Sequence, residues 1–93
     1  MVKQGFDRDR LTFGVEEEFL LVDADTRVAA ARSDQVVSAA RRVVGDQIAS
    51  EFYLTQLEAR SLPRATAEEL RRDLARCRRA AASAAAAAAC LLD

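Results

Sequence analysis

Three consecutive glutamates, Glu16-Glu17-Glu18, interrupt a stretch that otherwise alternates apolar residues. Adjacent carboxylates repel one another and glutamate has low strand propensity, so this placement needs a reason. Side chains alternate along an extended chain. Glu16 and Glu18 therefore share one face, about 6.5–7 Å apart at the backbone, and Glu17 points to the other. Thr12 and Gly14 lie on the face of Glu16 and Glu18, leaving little bulk beside them. Two carboxylates so related can hold a divalent cation; Mg2+ takes oxygen ligands at about 2.0–2.1 Å and commonly bridges to substrate phosphates. Gln56 and Glu58 repeat the i, i+2 spacing. If their strand lies near the first, Glu58 completes a three-carboxylate cluster, which is stable only with a counter-cation. The same alternation also describes any sheet with one solvated face, on which Glu16 and Glu18 simply meet water.

These carboxylates need strands to hold them. Leu11, Phe13, Val15, Phe19 and Leu21 fall at odd positions, which predicts a half-buried strand from Leu11 to Val22. Asp23-Ala24-Asp25-Thr26 is turn chemistry, and Val28 to Ala31 is expected as a short return strand. Ser33 or Asp34 can cap a helix whose stripe is Val36, Val37, Ala40, Val43 and Val44, with Gly45 as its stop. A second strand is expected from about Ser50 to Arg60, ended by Pro63, with Phe52 and Tyr53 in the core. Thr66 and Glu69 form a capping box for a long helix reaching toward Leu92. Its seam is Leu70, Leu74, Cys77, Ala81, Ala84, Ala88 and Leu91, small-sided after Cys77 and so suited to close packing. Residues 1–10 read as a flexible lead-in and 11–93 as part of one domain. The class is α+β, with antiparallel strands and helices on one face.

Composition narrows the partners. A chain of 93 residues allows one small domain, and five aromatics with many alanines make a thin core. The net charge of −1 gives no field toward nucleic acid or anionic membrane. Charge is uneven: eleven acids face seven bases up to residue 59, and four face seven after it. The late excess includes Arg71, Arg72, Arg76, Arg78 and Arg79, without interleaved aromatics for stacking on bases, which reads as a solvated helix face. Cys77 and Cys90 have no histidine or CxxC for company, which disfavours zinc or redox chemistry. Reduced cysteines fit a cytoplasmic protein. Cys77 reads either as a reactive thiol beside arginines or as a small buried residue on the seam. The opening residues lack the apolar core of a signal peptide, and the alanine run falls short of the about 20 apolar residues a membrane span requires.

Leu11 to Asp23, LTFGVEEEFLLVD, closely resembles the opening strand of the carboxylate–amine ligases related to the second, bacterial type of glutamate–cysteine ligase. The family's G-[VI]-E-x-E segment reads here Gly14-Val15-Glu16-Glu17-Glu18. Its Q-[VLI]-E strand reads Gln56-Leu57-Glu58, and its T-x-E-E-L helix start reads Thr66-Ala67-Glu68-Glu69-Leu70. An arginine- and alanine-rich helix follows, here from Arg71 to Ala89. The resemblance implies a glutamine-synthetase-like catalytic domain of which this chain is the N-terminal part. It also implies a reaction in which ATP phosphorylates a glutamate side-chain carboxylate and an amine, such as that of cysteine, attacks the acyl phosphate. Carried over by position, Glu16, Glu18 and Glu58 would be ligands of Mg2+ (or Mn2+) on the ATP phosphates. Family members are several times longer, and the phosphate-binding Arg or Lys of their later segments has no candidate here. Arg60 shares the face of Glu58 in a regular strand and can pair with it.

The sequence therefore supports an N-terminal fragment of such a ligase, inactive by itself, that meets ATP and amino-acid substrates only when completed. The alternative is a non-catalytic module that docks on a partner, or on itself, through its alanine-rich helix. Neither reading involves nucleic acid or a membrane.

Overall fold

The computed structural model describes the backbone of Val2–Asp7 and all of residues 12–93. Its axis is β2 (Thr12–Asp23), twelve residues whose alternation buries Val15 and Leu21 on one face. Along β2 lie β1 (Val2–Asp7) against Thr12–Glu17, β4 (Gln56–Arg60) against Glu16–Leu20, and β5 (Cys90–Leu92) against Leu21–Asp23. β3 (Ile48–Ser50) pairs with β4, so among the described residues the sheet has five strands and every pairing is antiparallel. Pairing runs on past the strand ends, with Leu20 and Asp93 exchanging both backbone bonds (3.1 and 2.8 Å) and Phe13 and Arg64 doing the same (2.7 and 2.9 Å).

Two helices, α1 (Ser33–Val44) and α2 (Ala67–Ala87), cover one face of this sheet. Val36, Val37, Ala40 and Val44 of α1 meet Cys77, Ala80, Ala81, Ala84 and Ala85 of α2 above Leu21, Ile48, Leu57 and Ala59. Alanine side chains let α2 approach closely, which is how a chain poor in large apolar residues still excludes water from its core. The class is α+β, with helices on one face, as the alternation and the capping box imply. The box is present: Thr66 Oγ1 accepts from the Glu69 N–H at 3.1 Å and donates to Glu69 Oε1 at 3.0 Å. Gly45 ends α1 with φ of 63°, a left-handed conformation that favours glycine.

Several elements differ from the sequence reading. Val2–Asp7, expected as lead-in, forms β1, because β2 offers a free edge for backbone pairing. Met1 and residues 8–11 lie outside the described residues, and with them the expected strand start at Leu11. The return strand over Val28 to Ala31 reduces to a single bridge, Val22 to Ala29. Asp23 Oδ1 draws the Asp25 and Thr26 N–H groups into a tight turn (2.9 and 3.0 Å), Arg27 takes φ of 63°, and the chain turns at once into α1. Arg32, rather than Ser33 or Asp34, occupies the N-cap of α1, and no side chain caps it. Ser33 is instead wholly buried.

The strand expected over Ser50 to Arg60 is two strands joined by a turn, whose aromatics are not core. Phe52 is 90% exposed and Tyr53 62%, and the two rings meet edge to face at 5.0 Å. Backbone bonds from Ser33 to Leu54 and from Leu21 to Thr55 pin this turn from below and leave its side chains outward. Val43 is likewise exposed. α2 stops at Ala87 because Ala89 enters the left-handed region at φ of 56°, which reverses the chain into β5. Arg32 fixes that reversal: its Nη1 donates to the Ala88 carbonyl at 3.1 Å while Nη2 pairs with Asp23 at 3.0 Å. Cys90 is thus a buried strand residue, and Leu91, expected on the helix seam, is partly exposed.

Candidate functional site

The glutamate triplet is sorted by its partners. Glu17 accepts two bonds from Arg78 of α2, from Nε at 2.9 Å and Nη2 at 2.6 Å, so it faces the helices. Glu16 and Glu18 then point to the opposite face of β2. The neighbouring strand is sorted in the same way: Leu57 and Ala59 are buried beneath the helices, which leaves Gln56, Glu58 and Arg60 on the opposite face.

The register sets these residues side by side. Glu18 stands across from Glu58, and Glu16 across from Arg60. Directly opposed strand residues are near neighbours on their shared face. This face, uncovered among the described residues, thus carries three carboxylates and a guanidinium at adjacent positions of two strands. Arg60 Nη2 donates to Glu58 Oε1 at 2.6 Å, the pairing that the shared strand face allows. Gly14, on the same face, would leave an added Cβ with nothing within 4 Å, so the site is open on that side.

Hard oxygen donors on rigid, hydrogen-bonded strands are the donor set that suits Mg2+ or Mn2+. Among the described residues, no three His, Cys, Asp or Glu side chains stand together as an ion-binding group. Glu16, Glu18 and Glu58 share a face by register, and Glu58 is turned to Arg60.

Elsewhere the expected features resolve into structure. The basic residues of α2 do not form one patch. Arg71 and Arg72 pair with Glu68, Arg76 with Gln47 and Asp73, and Arg78 with Glu17. Cys77 is fully buried, and burial, with the nearby Asp73 carboxylate, pushes its thiol up, as suits a packing residue rather than a nucleophile. Both cysteines are unpaired. Sequence reasoning passed over Asp73, which is 4% exposed and accepts from the Leu62 N–H at 2.6 Å and Gln47 Nε2 at 3.0 Å. The available signal was an acid inside an apolar stripe, one residue before Leu74. No helix is long and apolar enough to cross a membrane among the described residues.

Comparison with known proteins follows the same lines. The model of glutamate–cysteine ligase family 2 matches residues 12–92. A relative from Ruegeria pomeroyi is 35% identical over 74 residues, covering 80% of this chain and 19% of its own. Another from Paracoccus denitrificans is 35% identical over 72 residues, covering 77% and 19%. A third from Salinispora tropica is 38% identical over 76 residues, covering 82% and 20%. All three carry the name "Putative glutamate--cysteine ligase 2". The chain therefore spans about a fifth of the length of these relatives. No solved structure matches it.

Proposed function

The chain belongs to glutamate–cysteine ligase family 2, and from that premise we propose that its uncovered sheet face is the cation-binding wall of an ATP-dependent carboxylate–amine ligase. The observation that carries this reading is the register that sets Glu18 against Glu58 with Glu16 on the same face. Glu16, Glu18 and Glu58 would hold Mg2+ or Mn2+, and the ion, when bound, supplies charge compensation for the phosphates of ATP. The strands fix the backbone register of the three glutamates, so ordering their side chains is what remains for the moment of binding. Arg60 pairs with Glu58 and would yield it to the ion on binding.

The reaction proposed is the joining of a glutamate side-chain carboxylate, activated as an acyl phosphate, to an amine such as that of cysteine. These 93 residues supply one wall of the site, in a glutamine-synthetase-like domain. Turnover belongs to a protein of the relatives' length, working in the cytoplasm, where Cys77 and Cys90 stay reduced. The module reading finds less support, because Ala80, Ala81, Ala84 and Ala85 are buried in the chain's own core and present no seam to a partner.

Mn2+ binding followed by electron paramagnetic resonance tests the proposal. Glu18→Gln and Glu58→Gln should each weaken binding about tenfold, since each removes a charged ligand from a small site. An affinity unchanged in the Glu16/Glu18/Glu58→Gln triple variant would rule the reading out.

A further inference from the structure

A cavity of about 240 Å³ opens between the segment after β4 and the first turns of α2, lined by Arg64, Glu69, Arg72, Asp73 and Arg76. It is built from the helix side and shares no residue with the carboxylate face. Its backbone is fixed, because Arg64 is bridged to Phe13 by two main-chain bonds. Arg64 Nε is itself shut off from solvent and, among the described residues, has no hydrogen-bond partner. Among the described residues, the Arg64 guanidinium meets an ion-pair partner only in Asp73, at 3.6 Å, too long for a hydrogen bond. A buried, unpartnered guanidinium N–H is rare, and an unseen water or ion is a usual reason for one.

Charge says which kind of ligand. Three arginines face two carboxylates, an excess of one positive charge. The carboxylates are largely committed: Asp73 Oδ2 accepts from the Leu62 N–H and from Gln47, and Glu69 Oε1 accepts from the Thr66 hydroxyl. Arg72 gives Nε to Glu68 at 3.0 Å, and Arg76 gives Nη2 to Gln47, each with further guanidinium N–H groups in hand. Planar forks of this kind match phosphate oxygens in pairs.

We infer that this cavity is a second binding site, for an oxyanion of the phosphate type, held by Arg64 with Arg72 and Arg76. The ligand is either free phosphate or the phosphoryl group of a small monoester.

The test is calorimetric titration of the chain at low ionic strength, without metal or nucleotide, using inorganic phosphate and, separately, glycerol 2-phosphate. Saturable binding of phosphate is expected. Arg72→Ala, a largely exposed side chain whose removal leaves the fold intact, should weaken it about tenfold. Arg64→Lys keeps the charge beside Asp73 but replaces the planar guanidinium fork by a single ammonium, and should weaken it as much. Glu18→Gln and Glu58→Gln should leave it unchanged, which separates this cavity from the sheet face. Binding of phosphate alone identifies a free-ion site, and binding of both probes a phosphoryl-group site. Absence of saturable binding, or equal affinity in both arginine variants and the wild type, overturns the inference.

Discussion

Glu17 and Arg78 form a two-bond ion pair between β2 and α2, at 2.6 and 2.9 Å, and this pair marks which face of β2 the helices cover. With Glu17 tied to the helix layer, a pleated strand has only one place for Glu16 and Glu18. The pair sits at the margin of the core: the Glu17 side chain is 17% exposed and that of Arg78 52%. Removing it by Arg78→Ala should lower stability by about 1 kcal/mol, because half of the pair is screened by water. Urea denaturation checks this. Mn2+ affinity at the other face should change little, since β4 still fixes the register.

Asp73 carries a larger share. Burial raises its carboxyl most of all, but the Leu62 N–H, Gln47, Arg64 and Arg76 together more than offset this and hold it below its usual value of 3.8. A lowered folded-state value means the stabilisation is complete above the unfolded value and is lost as pH falls through the folded one. Asp23 acts in the same direction, lowered first by the Thr26 and Asp25 N–H groups and then by Arg32. Asp73→Asn should cost about 1–2 kcal/mol at neutral pH, as it weakens the buried acceptor of the Leu62 N–H and removes the charge facing two partly exposed guanidinium groups. Urea midpoints between about pH 2 and 6 should show a shallower acid limb in the variant than in the wild type.

Much of the fold was legible because its signals are local. The period-2 run at Phe13–Leu21, the Thr66–Glu69 box and the Gly45 stop each depend on a few adjacent residues. What was not legible depends on distant ones. Nothing near Phe52 and Tyr53 says that Ser33 and Leu21 will take the Leu54 and Thr55 carbonyls and turn the rings outward. Nothing near Ala89 says that Arg32, 57 residues away, will bond the Ala88 and Ala89 carbonyls just beyond α2. The face shared by Glu16, Glu18 and Glu58 followed from strand parity alone, but which of them stand opposite one another needed the register.

Ala89 tests the helix end. Its φ of 56° places a Cβ in a region that disfavours L side chains by about 1–2 kcal/mol. Ala89→Gly should relieve most of this, and the gain should be about 0.5–1 kcal/mol after the greater freedom of glycine in the unfolded chain is set against it. A rise in the thermal midpoint is expected, and a fall would show that the Ala89 methyl packs favourably enough to outweigh the backbone strain.

Ala81 tests the closeness of α2 to the sheet. It is wholly buried among small residues of both helices. Ala81→Leu adds three heavy atoms where there is no room, so a loss of roughly 2 kcal/mol is expected from overpacking. Were this helix face a docking seam in solvent, the same change would instead alter association and leave the monomer's urea midpoint in place. Sedimentation and denaturation on one sample separate the two.

Arg60 is the most informative single position on the carboxylate face. Its guanidinium holds Glu58 Oε1 at 2.6 Å and stands across from Glu16, so it neutralises charge that a cation would otherwise meet. Two ligands competing for one carboxylate give a simple sign. Arg60→Ala should free Glu58, raise the negative potential of the face and strengthen Mn2+ binding by roughly threefold to tenfold. The gain should shrink as salt is raised, because the added attraction is between partly exposed charges. Glu58→Gln should act in the opposite direction, and Arg60→Ala should have no effect in the Glu58→Gln background if its whole influence passes through that carboxylate. Weaker binding in Arg60→Ala would mean that Arg60 holds Glu58 in place for the ion instead of competing with it.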